Sequence, residues 1–202
     1  MQQAAKKYLT PEEYLALEDA AEHKSEYYKG EIFAMAGRTS DHNRIGLNFV
    51  EGLRASLRKK KCEMFMGDMK VWIEQAETFV YPDLVIVCGA LNYYEGCKDI
   101  ITNPSVLIEV LFESTKSYDH IEKFQLYRSL PTLREYILVD QYSVHIKQYF
   151  REAKFRWVLT EHFEENETLK LSSVDAEIAM SAVYQDVELT PPGKKSPPVP
   201  SR

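Results

Sequence analysis

Two segments of this chain are almost wholly apolar. Val80-Tyr81-Pro82-Asp83-Leu84-Val85-Ile86-Val87 and Val106-Leu107-Ile108-Glu109-Val110-Leu111-Phe112 carry one charge each, Asp83 and Glu109. Apolar runs of this length without alternation read as strands covered on both faces. An ionised carboxylate in such a strand is costly unless it is paired, hydrogen-bonded or bound to a metal. If neighbouring strands bring both acids to one point, like charges repel, and a divalent cation resolves the conflict. Oxygen donors favour Mg²⁺, Mn²⁺ or Ca²⁺ over zinc. The competing reading gives each acid a buried arginine or a loop amide as its partner.

Around these runs the pattern alternates between helix and strand. Thr10-Pro11-Glu12-Glu13 opens a helix to about Asp19, with Thr10 as cap, Pro11 at the first position and Glu13 completing a capping box. Lys29-Gly30 reads as a hairpin turn between 25–28 and 31–35. Ser40 or Asp41 starts a longer helix ending near Lys60, whose apolar face is Ile45, Leu47, Phe49, Val50, Leu53 and Leu57. Strands are expected at 62–66, 70–73, 80–88 and 106–112, then a helix at 118–130. Further strands are expected at 135–139, 144–150, 155–161 and 169–171, with a last helix at 179–187. This order is α/β or α+β with a mixed sheet. Residues 1–189 are read as one domain, and the Pro- and Ser-rich stretch 190–202 as a disordered tail.

The helix after Glu109 supplies a third group. With Tyr118 at zero and about 100° per residue, Leu126, Leu130, Tyr127, Phe124 and Ile121 span roughly 80° to 300°, and Lys123 falls at about 140°, inside that arc. Lys123 therefore points toward the sheet that holds the two acids, where an ammonium can orient a water or neutralise a phosphoryl oxygen. The alternative is that it snorkels past the core or pairs with Asp119. Glu26 precedes the hairpin turn and reads as a solvated charge with a chance of reaching the site. His42, at a helix start, reads as a capping or surface residue. The Arg58-Lys59-Lys60-Lys61 run reads as a solvated helix end suited to the helix dipole.

Cys62, Cys88 and Cys97 form no C-x-x-C pair and are read as reduced thiols, with neither a zinc site nor a disulfide framework. The net charge of −6 argues against a surface coated in basic groups for nonspecific nucleic-acid binding. MQQAAKKYLTPEEY contains no signal-peptide-like apolar run, and no segment approaches the ~18 apolar residues of a membrane span. The expected compartment is the cytoplasm.

Tyr81-Pro82-Asp83, Glu109 within Leu107-Ile108-Glu109-Val110-Leu111, Asp119-x-x-x-Lys123-x-x-x-Tyr127 and Arg134-Glu135-Tyr136-Ile137-Leu138-Val139-Asp140 occur in that order. Together with Glu26-Tyr27-Tyr28-Lys29-Gly30-Glu31 and His42, this set resembles the Uma-type restriction endonuclease family of the PD-(D/E)XK nuclease superfamily, from about Thr10 to Val187. The resemblance implies a restriction-endonuclease-like core, a central mixed β-sheet flanked by helices. It implies Mg²⁺-dependent hydrolysis of DNA phosphodiesters, with Mn²⁺ as a substitute. Asp83, Glu109 and the Val110 carbonyl would be the metal ligands, Lys123 a catalytic cation and Glu26 an auxiliary acid. The superfamily's usual lysine, two residues after the glutamate, is Leu111 here, and the family's lysine has moved to the helix, where Lys123 stands. Phe112-Glu113-Ser114-Thr115 replaces the usual Ser-Pro-Ser-Thr.

The expected function is an Mg²⁺-dependent endodeoxyribonuclease acting on DNA. The rival is a non-catalytic nucleic-acid-binding or interaction module on the same fold, motivated by the net charge, Leu111 and Phe112-Glu113. A homodimer would suit a duplex substrate, because a two-fold pair can cut both strands.

Overall fold

The computed structural model describes residues 8–35, 37–112 and 122–189. Its central sheet contains β3 (Cys62–Met66), β6 (Leu84–Cys88), β8 (Val106–Leu111), β9 (Glu135–Asp140), β10 (Ile146–Ala153) and β11 (Arg156–His162). Their order is β11-β10-β9-β8-β6-β3. β8 and β9 are parallel and the other neighbours antiparallel, so the sheet is mixed as expected. A second sheet, order β2-β1-β5-β4-β7, is built from β1 (Ser25–Tyr28), β2 (Glu31–Ala34), β4 (Lys70–Ile73), β5 (Thr78–Val80) and β7 (Ile100–Ile101).

Alternation along the central strands sorts the core into two layers. Leu84, Ile86, Val106, Ile108, Val110, Ile137 and Val139 pack on one face against Ile45, Phe49, Leu53 and Leu57 of α2 (Ser40–Lys59). That layer is completed by the hairpin β12 (Thr168–Leu171) with β13 (Ala176–Ala179), and by α4 (Met180–Val183). Val85, Val87, Leu107, Leu111, Tyr136 and Leu138 face the opposite layer, where Val71, Ile73, Val80 and Ile101 of the second sheet join Tyr127 of α3 (Phe124–Tyr127). Helix α1 (Pro11–Asp19) has the expected capping box and packs Tyr14 with Tyr27 and Phe79 of the second sheet.

Several expectations are corrected. The run 80–88 is not one strand: Val80 pairs in the second sheet, the central sheet resumes at Leu84, and Tyr81-Pro82-Asp83 crosses between them. Pro82 has no N–H for a ladder, which breaks the run there. The last helix is shorter than 179–187, because Ala176–Ala179 pairs as a strand first. Leu47, assigned to the apolar face of α2, is exposed. Cys62 and Cys88 stand opposite each other in β3 and β6 and form a disulfide, so the reading of three reduced thiols is wrong. Register brings together cysteines 26 residues apart, which spacing along the chain cannot reveal. Cys97 is the free thiol among the described residues. The tail from 190, Asp119 and the Glu113-Ser114-Thr115 stretch lie outside the described residues. Among those described, no helix is long and apolar enough to cross a membrane.

Candidate active site

The break at Pro82 positions the acids. Leu84 pairs with Ile108 across β6 and β8, and one further step of that register sets Asp83 opposite Glu109. Directly opposed residues present their side chains on one face. The main-chain N–H of Val110 donates to Asp83 Oδ2 at 2.8 Å. Another step places Val110 opposite Pro82, which has no N–H to offer the Val110 carbonyl.

Each acid is met by side chains from a different element. Lys123 Nζ lies 3.1 Å from Glu109 Oε1 and 3.1 Å from Glu26 Oε1. Tyr127, one helical turn on, donates its hydroxyl to Glu109 Oε1 at 2.6 Å. At the other acid, Arg38 Nη2 lies 2.7 Å from Asp83 Oδ1, and His42 Nε2 lies 3.0 Å from Asp83 Oδ2. Glu26, His42, Asp83, Glu109 and Lys123 are each less than a tenth exposed. All five line one open cavity of about 780 Å³.

Local structure explains each placement. Glu26 sits in β1, and its Oε1 accepts from the Tyr81 N–H at 3.3 Å, tying the hairpin to the crossover. Tyr81 is fixed in turn by its hydroxyl donating to Glu18 Oε1 at 2.9 Å and by the ammonium groups of Lys24 and Lys70 over its ring. Thr39 caps α2, accepting from the His42 N–H at 3.1 Å, and the first turn of that helix carries His42 inward. Gly30 gives the hairpin its left-handed turn residue at φ +90°, and a Cβ there would come within 2.8 Å of the Tyr8 ring.

Burial disfavours the charged form of Asp83. The His42 hydrogen bond, the His42 and Arg38 charges and the Val110 N–H outweigh it, and hold the carboxyl below its ordinary value. Burial, reinforced by the Glu109 charge, raises the Tyr127 hydroxyl well above its ordinary value, so it remains a donor. His42 Nδ1 is buried and has no hydrogen-bond partner among the described residues.

Asp83, Glu109 and Lys123 line the same cavity, with Lys123 paired to Glu109. Glu26 is not the solvated hairpin charge but a buried partner of Lys123. His42 is not a surface cap but a partner of Asp83. The alternative for Asp83, a buried arginine or a loop amide, is met only in kind: its partners include a partly exposed arginine, Arg38, and a strand amide, that of Val110. Sequence reasoning missed Arg38. Its signal is its position just before the cap of α2, where the helix dipole disfavours a cation. The role of Tyr127 was legible in principle, since a buried phenol needs a partner. The Arg58–Lys61 run begins at the far end of α2, about 24 Å along the helix from His42.

A mixed sheet with opposed acids at the break before β6, capped by a helical lysine, defines a nuclease-like fold. The chain belongs to the Uma2 family, described as "Putative restriction endonuclease", whose model matches residues 11–182. Two proteins of Synechocystis sp. are similar to it. For sll1609 the identity is 36% over 169 residues, covering 84% of this chain and 96% of that protein. For slr1290 it is 31% over 177 residues, covering 88% and 92%. A crystal structure described as a "putative nuclease belonging to DUF820" from Anabaena variabilis superposes with a TM-score of 0.72 at 15% identity, covering 87% of this chain and 97% of that one. At that identity the likeness speaks for the fold alone.

Proposed function

We propose that this protein is a divalent-metal-dependent endonuclease that hydrolyses DNA phosphodiesters. The observation that carries the proposal is that Asp83, just before β6, and Glu109, in the neighbouring strand β8, line one open cavity, with Lys123 on the Glu109 side. Among the described residues no three His, Cys, Asp or Glu side chains form a ready metal cluster. The donor set nevertheless fits Mg²⁺ or Mn²⁺. Mg²⁺ commonly takes one or two carboxylates and keeps several waters, and Asp83, Glu109 and the Val110 carbonyl are hard oxygen donors. These three would hold the ion. When bound, it would polarise the scissile phosphate and acidify a water.

The chain's own groups supply the rest. Lys123, between Glu26 and Glu109, is the cation suited to orient the attacking water or to neutralise charge on a phosphoryl oxygen. Glu26 pairs with Lys123 at 3.1 Å and holds it at the cavity. Arg38 borders the same cavity, and its planar fork suits a phosphate once Asp83 no longer engages it. In the reaction the water oxygen bonds to phosphorus and one P–O ester bond breaks. The water's proton is balanced by protonation of the departing oxygen.

The rival, a non-catalytic module, draws support from the partners that Arg38, His42 and Lys123 already give the acids. Calorimetric titration with Mg²⁺ and Mn²⁺ separates the two. The nuclease is expected to bind metal and to cut DNA in its presence, and absence of binding up to millimolar metal favours the module.

A further inference from the structure

We infer that the substrate reaches the acids as a single strand of nucleic acid, with a base stacked on Phe33. The inference rests on the nuclease reading for its chemistry and adds the substrate class.

The hairpin carries the first observation. Glu26 and Phe33 are direct cross-strand partners in β1 and β2, so the face that delivers Glu26 to the acids also delivers Phe33. Tyr28, two residues along β1, lies on that face as well. Phe33, Tyr28, Met35 and Phe112 give the cavity an apolar, largely aromatic side next to its acids. Phe33 remains 48% exposed, an open ring at the mouth of a charged site. Aromatic rings beside a backbone-tracking groove are how proteins hold single strands, because every base has a face to stack.

Size and charge carry the second. A cavity of about 780 Å³ is on the scale of a small ligand, and it suits a nucleotide or two better than a duplex. Duplex binding draws its affinity from neutralising many phosphates. Among the described residues the cavity's basic side chains are Lys29, Arg38 and Lys123, and the last two face carboxylates. The strongest basic run, Arg58–Lys61, is at the other end of α2.

The test uses the full chain and a fluorescein-labelled 12-nucleotide DNA, free or annealed to its complement. Binding is measured in EDTA and cleavage in Mg²⁺ or Mn²⁺. The single strand should bind at least ten-fold more tightly than the duplex. Phe33→Ala should weaken single-strand binding about ten-fold, within the range of losing one stacked base. Phe33→Trp should retain binding, and Phe155→Ala, at an exposed aromatic outside the cavity, should leave it unchanged. Equal or tighter duplex binding, no binding of either DNA, or indifference to Phe33→Ala in a protein with unchanged melting would overturn the inference. If the single strand binds as expected but neither DNA is cut with metal, the nuclease reading fails and the stacking site stands. If only duplex is bound and cut, the reverse holds.

Discussion

β8 and β9 lie side by side, and each buries a glutamate. Glu109 sits toward the end of β8, on the face turned to the second sheet. Glu135 opens β9 level with Val106, about 10 Å back along the strands and on the opposite face. Glu135 is fully buried, and its carboxylate accepts from the Gln148 side-chain amide at 2.8 Å and the Ser173 N–H at 2.6 Å. Those neutral donors belong to β10 and to the turn of the C-terminal hairpin, so Glu135 clips that hairpin to the sheet. Glu109 is met by an ammonium and a phenol beside an open cavity. Burial of a carboxylate is common to both. What separates an anchor from a candidate catalytic group is the kind of partner and the access to it: fixed amides in a closed core for one, a cation on a solvent-filled wall for the other.

The sharpest way to break this contrast is to delete the acids. Asp83→Ala or Glu109→Ala should reduce metal-dependent cleavage about a hundred-fold or more while far-UV circular dichroism stays native. Glu135→Ala should leave cleavage per folded molecule unchanged and lower the unfolding free energy in urea by about 2–3 kcal/mol, since it strands two buried donors. A dead but stable Glu135→Ala, or an active Asp83→Ala, would collapse the distinction. Next in size, Lys123→Ala should slow cleavage about ten- to a hundred-fold, with metal affinity by calorimetry little changed. An unchanged rate would reduce Lys123 to a structural counter-charge. A smaller effect of opposite sign is expected for Arg38→Ala. Arg38 competes with any cation for Asp83, so its removal should tighten Mg²⁺ binding about five-fold, the scale of one partly exposed ion pair, while cleavage falls. Weaker metal binding would show that Arg38 supports the metal site instead of competing for it.

How far these groups could be read from the chain depended on whether their signal was local. The opposed acids stood out because a charge inside an apolar run is anomalous wherever the run ends up. Lys123 was legible because helical periodicity fixes which face a residue shares. Arg38, His42 and Glu26 carry no such anomaly beyond the place of Arg38 just before a helix N-terminus. Each sits in a polar stretch beside a cap or a turn, where exposure is the ordinary outcome, and only the crossover of Tyr81-Pro82-Asp83 between two sheets brings them inside. Pro82 did carry a local warning that the run 80–88 would break, and the acid site is built at that break. β7, two residues long, and the Cys62–Cys88 bond depend on register between distant segments and have no counterpart in local pattern.

The smallest expected effect concerns acid stability, and it tests whether the Asp83 end is held by its cations. Burial works against the Asp83 charge, and His42, Arg38 and the Val110 N–H together bring its folded-state value below the ordinary one. A carboxyl lowered in this way contributes stability that is fully present above its unfolded value of about 3.9. That contribution is lost as pH falls through the lower folded value. The metal-free protein should therefore lose part of its stability only below the usual carboxylate range. His42→Ala and Arg38→Ala each remove a group that favours the charged form, so in each variant the folded value moves up toward the unfolded one, and the loss should be smaller and complete at higher pH. Urea unfolding of the three proteins from pH 6 to pH 2.5 in EDTA reads this directly. Glu135→Gln, which has no cation to lose, serves as the control. Coincident profiles for wild type and Arg38→Ala would mean that the Val110 N–H and His42 alone hold Asp83, and that Arg38 is free to serve the substrate.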